Sequence, residues 1–153
     1  MIYAIAYASA PAGIAAPCSA ADLKVRLDSG NGEFEATQHE GLRVIVSNAT
    51  QTSCTLPSLP ALTLLDSKDR RLAIPATKPN PAPPSASIVV APGASVSSVV
   101  RWVDGNVFTN GVCQNVATFA LKVGMKMFII PFKTTICGPS SGSTIDEAAF
   151  IKG

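Results

Sequence analysis

The sequence predicts an all-β chain: an immunoglobulin-like antiparallel β-sandwich of about seven or eight strands, closed by two disulfides. Three observations carry this. From Asp22 onward apolar residues recur at alternate positions, the period of a strand with one buried face. Clusters of Gly, Pro, Asn and Asp interrupt these runs at short intervals, as turns between strands require. Four cysteines lie far apart in the chain, a spacing that suits staples between strands.

The elements follow in order. DLKVRLD sets Leu23, Val25 and Leu27 on one face and Lys24 and Arg26 on the other. DSGNGE supplies two glycines able to take positive φ. GLRVIVSN repeats the alternation with Leu42, Val44 and Val46, and PALTLLDS does so with Leu62 and Leu64. DSKDRR reads as a polar hairpin tip. The five prolines between Pro75 and Pro84 exclude a helix or a central strand there, and predict an extended connection. ASIVVAPG and ASVSSVVRWVDG are two β-branched runs joined by a turn at Pro92 and Gly93. NVATFALKVG places Ala117, Phe119, Leu121 and Val123 together. In MFIIPFKTTIC, Pro131 lacks an N–H and so belongs on a sheet edge or at a bulge. In the closing stretch, Ser143 with Asp146, or Thr144 with Glu147, fits the cap of a single helical turn, with a frayed tail as the alternative.

The 153 residues suffice for one ordinary domain. With 12 Lys plus Arg against 10 Asp plus Glu, the net charge of +2 is too small to point to nucleic acid or an anionic membrane as the default partner. No charged residue precedes Asp22. The opening MIYAIAYASAPAGIAAPC is broken by Pro11 and Gly13 and is too short to span a bilayer. It reads as the back half of a secretory signal lacking its basic start, cleaved near Gly13 and Ala15. The organisation expected is therefore residues 1–15 as a truncated signal segment, 16–142 as the sandwich and 143–153 as a C-terminal tail. The mature chain has no transmembrane helix and is secreted or periplasmic.

No pair among Cys18, Cys54, Cys113 and Cys137 has the close spacing of a zinc site or a redox-active dithiol. An even count in an exported chain suggests two disulfides, with three possible connectivities. Strand order selects one. Cys18 stands just before DLKVRLD and Cys54 just after GLRVIVSN, so antiparallel neighbours bring them together. Cys113 precedes NVATFALKVG and Cys137 ends MFIIPFKTTIC, so a hairpin joins those two. The pairing expected is Cys18–Cys54 and Cys113–Cys137, with no metal and no cofactor.

Three motifs then carry a resemblance. VSNATQTSCTLPSLPALTLLD is similar to a pattern N-T-x-x-x-C-T-L followed by P-x-x-x-L-L-D. VVAPGASVSSVVRW is similar to L-x-P-G-x-S followed by R-W, and FIIPFKTTICG to a closing P-F-x-x-x-x-C-G carried by Pro131, Phe132, Cys137 and Gly138. With these motifs the chain resembles the bacterial exported domain of unknown function 4232 family, over roughly Cys18 to Gly138. It departs in having Ser58 and Leu59 where that pattern often has glycine and an aromatic. The resemblance implies a secreted, periplasmic or surface-anchored β-sandwich, and it implies no catalytic residues.

Residue chemistry points the same way. His39 is the sole imidazole and lies in a polar stretch; no G-x-S-x-G elbow supplies a nucleophile for it. Glu33 and Glu35 flank Phe34 in a loop, and Asp146 and Glu147 fall in the tail. Two aromatics remain as candidates for a binding surface, Trp102 on its strand and Phe108 in the loop after it. Asn48-Ala49-Thr50 fits a glycosylation sequon, but the asparagine also suits a strand-end turn. The function expected is a non-catalytic binding or structural module of the bacterial cell envelope, with an unknown protein or envelope component as partner. The alternative is a secreted inhibitor of an extracellular enzyme, or a small secreted enzyme; the segment Pro75 to Pro84 or the loop Asp104 to Val112 would be the inhibitor's recognition element.

Overall fold

A computed structural model describes residues 15–153. The expected signal segment, 1–15, therefore lies almost wholly outside the described residues. The described residues form eleven strands and two short 3-10 turns, more strands than the alternation predicts. The additional ones run two to four residues, too short to establish a period of their own.

Strand β1 (Leu23–Asp28) pairs antiparallel with β2 (His39–Asn48), from Leu23 opposite Asn48 to Asp28 opposite Arg43. The two glycines between them, Gly30 and Gly32, both take positive φ. β3 (Cys54–Pro57), β4 (Thr63–Leu65) and β5 (Ala76–Thr77) follow, then β6 (Ser87–Val90) and β7 (Ser95–Val103). The long hairpin is β8 (Val112–Val123) and β9 (Lys126–Gly138), and β10 (Ile145–Glu147) and β11 (Ile151–Lys152) complete the chain. One sheet runs β1-β2-β7-β10-β5, with β11 also on β7; the opposing sheet is β4-β8-β9, and β3-β6 forms a small third sheet. The β10–β5 pair is parallel, an exception to the antiparallel pattern expected.

The alternations read from the sequence become the core. Leu42, Val44 and Val46 of β2 and Val96, Val100 and Trp102 of β7 meet Phe119 and Leu121 of β8 and Ile136 of β9, all buried. Trp102 stands edge-on to Phe119, with ring centroids 5.5 Å apart, and Phe132 completes the cluster at 6.2 Å from Trp102 and 5.5 Å from Phe119. These three rings tie the large sheet to the β4-β8-β9 sheet.

β8 departs from simple alternation. Its register with β9 shifts between Val116 and Thr118, next to Pro131. The phase of β8 changes there, so Val116 is buried, while Ala117, expected inward, is only half-buried. Pro131 thus occupies both positions open to it: β9 is the edge of its sheet, and the irregularity falls at the proline.

The segment 143–153, expected as a helical turn or frayed tail, forms β10 and β11 and enters the large sheet. Glu147 pairs with Val100 and Ile151 with Ser97. Ile145 and Phe150 are buried. The helix-favouring Asp-Glu-Ala-Ala run is overruled by tertiary pairing with an open edge of β7. Gly138 makes the return possible. A Cβ there would lie 2.5 Å from the Cα of Ser143 and 2.8 Å from the carbonyl of Gly142, both immovable backbone.

Asn48 closes the other end. It is buried, and its side-chain amide donates to the carbonyls of Thr52 (2.8 Å) and Val90 (3.0 Å). Its Oδ1 accepts from the N–H of Thr50 (3.0 Å) and from the Thr50 hydroxyl (2.7 Å). Every polar group of this side chain is thus engaged in ending β2 and holding β3 beside β6, which is the strand-end role that the sequence suggested for it. Asn48→Ala leaves a buried carbonyl without its donor, and is expected to cost about 2 kcal/mol in urea unfolding. A loss near zero would show that water replaces the amide freely.

Candidate functional site

Both expected cysteine pairs are present: Cys18 bonds Cys54 and Cys113 bonds Cys137, with no free cysteine among the described residues. Cys113 and Cys137 face each other directly in the β8–β9 register. Cys18 reaches Cys54 because residues 16–18 lie along β3: Cys18 N–H donates to the Thr55 carbonyl, and Thr55 N–H to that of Ala16, each at 2.9 Å. The two staples sit at opposite ends of the fold. Cys54 stands past the Asn48 end of β2, whereas Cys137 follows Thr134, which touches Glu40 at the start of β2.

The candidate aromatics separate. Trp102 is 2 % exposed and donates from Nε1 to the Thr134 hydroxyl (3.1 Å), which in turn donates to Glu40 (2.7 Å). It is a core anchor with its polar edge satisfied, and it offers no binding surface. Phe108 is half-buried in the loop after β7, where its carbonyl accepts from Gly111, and it takes no part in the aromatic cluster. His39 is exposed at the start of β2, its Nδ1 2.8 Å from the carbonyl of Thr37. Glu33 does not pair with Glu35; it receives two hydrogen bonds from the Arg43 guanidinium at 2.6 and 2.7 Å. That contact holds its carboxyl below the usual range, and Arg43 lies 4.7 Å over the buried Phe34 ring.

The feature that sequence reasoning missed lies between two sheet edges. β4 ends one sheet and β5 the other. The chain joining them turns at Asp66, whose carboxylate accepts from the N–H groups of Lys68 and Arg70. It then returns along β4, with Leu72 N–H on the Leu64 carbonyl at 2.8 Å. This leaves a lateral cavity of about 600 Å³. Leu62, Leu64, Leu72 and Ile74 give it an apolar lining, and Arg71, Lys78 and Glu147 are its charged members. A second groove, lined partly by the same Leu59, Ala61, Thr63 and Arg71, continues toward the β8–β9 turn.

Glu147 is the buried charge of this site. It is 5 % exposed and has no cation within ion-pair distance among the described residues. Its two oxygens accept from the N–H groups of Ala61 (3.1 Å) and Leu62 (2.9 Å). Ala61 has φ +48°, a left-handed conformation that costs a side-chain-bearing residue about 1–2 kcal/mol. The carboxylate therefore clamps a strained turn and shapes the cavity wall. Burial raises its pKa above the ordinary 4.5, and the two N–H groups offset part of that rise.

The sign of the pH dependence follows. An acid whose folded pKa exceeds its unfolded one binds more protons when folded, so stability falls as pH rises through the interval between them. Acidification from about pH 7 toward pH 5 is expected to raise the stability of the wild type relative to Glu147→Gln. Paired thermal melts at both pH values measure the gap. A gap independent of pH would mean that Glu147 stays ionised at no cost.

These polar and apolar walls come from residues 59–64, residues 71–78 and Glu147, and no local motif announced them. The alternation of Ile145 and Glu147 was the one available signal, and both side chains do face inward. No helix among the described residues is long and apolar enough to cross a membrane. No curated protein and no solved structure matches the chain. A family model does match, over residues 18–140, and its span runs from the first staple to just past the last. The chain belongs to the family described as domain of unknown function DUF4232.

Proposed function

We propose that the chain is a non-catalytic, exported, disulfide-locked binding module of the bacterial cell envelope, and that the lateral cavity beside β4 and β5 is where it meets its ligand or partner. The observation that carries this reading is the closure of both cysteine pairs. Structural disulfides persist outside the reducing cytosol and are rare within it. The cavity supports the binding role: apolar walls with a few convergent polar groups are the usual make-up of a recognition site. A non-catalytic role is supported by His39, which is exposed and turned onto its own loop. Two of the carboxylates that sequence analysis singled out are engaged in structural contacts, Glu33 with Arg43 and Glu147 with the Ala61 turn.

Cell fractionation with thiol trapping tests this. The full chain is expected in the periplasmic or secreted fraction with no alkylatable cysteine before reduction. Recovery from the cytosol with free thiols would refute export. A broad hydrolase screen is expected to show no turnover that His39→Ala abolishes, and such turnover would refute the non-catalytic reading.

A further inference from the structure

The β8–β9 turn is an apolar apex surrounded by cations. Met125 stands at its tip, 96 % exposed. Met127 and Ile129 follow at alternate positions of β9, both exposed on the outer face of the sheet. Lys122 is the register partner of Met127, and Lys126 adjoins the tip. Arg71 and Met125 line the same groove of about 740 Å³, together with Pro57 and Leu59. None of these three cations has a carboxylate within ion-pair distance among the described residues. One carboxylate, Asp69, lines this groove. An exposed methionine pair and an isoleucine beside unpaired cations form a two-part surface, apolar at the apex and positive around it.

We infer that this hairpin tip docks on an anionic lipid surface, with Met125 and Met127 entering the interfacial region and Lys122, Lys126 and Arg71 facing the headgroups. Charge complementarity selects the partner: unpaired cations gain about 1 kcal/mol each beside an anionic leaflet, roughly fivefold in affinity. The shape favours a lipid surface over an acidic polypeptide. Met125 projects with nearly all its surface in water, as interfacial insertion requires. Disulfides and fold class do not enter the inference, so it stands or falls separately from the envelope-module reading.

Vesicle flotation of the purified, oxidised protein tests it. Binding is expected to vesicles of equal parts phosphatidylglycerol and phosphatidylcholine, at least tenfold above binding to phosphatidylcholine alone, and to be lost at about 0.5 M salt. Lys122→Gln and Lys126→Gln are each expected to weaken it about fivefold. Met125→Asp should weaken it by at least as much; at a site this exposed its melting temperature should match the wild type's. Lys133→Gln is the control. It removes the same charge from the same strand, roughly 23 Å along from Lys126, and should leave binding unchanged. Equal binding to neutral vesicles, or an equal loss in the Lys133 variant, overturns the proposal. So does failure to float while soluble polyglutamate binds, which would assign the surface to an acidic protein. A disulfide-free or cytosolic protein that still floats would sink the module reading and leave this one standing.

Discussion

Phe119→Ala is expected to destabilise the fold by about 3–5 kcal/mol, a large share of the stability of a domain this size. Phe119 has no exposed surface and touches both other rings of the inter-sheet cluster. Truncation removes its burial and leaves a cavity bordered by Trp102 and Phe132. The sheets cannot readily close on it, because Trp102 is fixed at its far edge by Thr134 and Glu40. The loss should appear in urea unfolding as a lower midpoint at an unchanged slope. Phe119→Leu should recover more than half of it, because volume is largely restored. A loss below about 1 kcal/mol for the alanine variant would show that the two layers are not held together here.

The second large effect belongs to the staple whose segment connects most weakly to the rest. Replacing Cys18 and Cys54 together by serine is expected to cost about 3–4 kcal/mol in the chain-entropy account of a loop with sequence separation 36. The consequences should be local as well. Residues 16–18 meet β3 through two backbone hydrogen bonds and a short parallel bridge. Without the covalent tie this segment should fray, and the amides of Cys18 and Thr55 should exchange much faster than those of β2 and β7. The Cys113 and Cys137 pair sits inside a long, well-paired hairpin, so its removal should leave local exchange nearly unchanged while lowering global stability. Equal local exchange in the two double variants would contradict this division.

The strands with clean two-residue periods were legible because each carries its own evidence. DLKVRLD and GLRVIVSN state their buried faces without reference to any partner, and both register in the large sheet as read. The cysteine pairing was legible because hairpin geometry leaves little choice once strand order is set. β3, β5, β10 and β11 were not. Each has two to four residues, and β5 is held by β10 across nearly half the chain, while β10 is held by β5 and β7. The same non-local closure hid the cavity, since the clamp that shapes it joins Glu147 to Ala61 and Leu62. Trp102 illustrates a different limit. A tryptophan on an alternating strand is equally compatible with a core and with a rim. Only the position of Thr134 on β9 shows that its indole N–H is satisfied from within.

Carboxylate environments were hidden for a related reason. Glu33 and Glu35 read as loop residues flanking Phe34, and Arg43 of β2 captures one of them. Asp146 and Glu147 read as residues of the tail, yet strand pairing turns the first outward and buries the second. In both cases a partner distant in sequence decides the environment of the charge.

The most direct test of the whole account is a peptide map of the protein digested without reductant, after thiols are blocked in the intact cell. Two crosslinked products are predicted, one joining the peptides of Cys18 and Cys54 and one joining those of Cys113 and Cys137, with no blocked cysteine. Alkylated thiols at these positions, or a crosslink between Cys54 and Cys113, would contradict it.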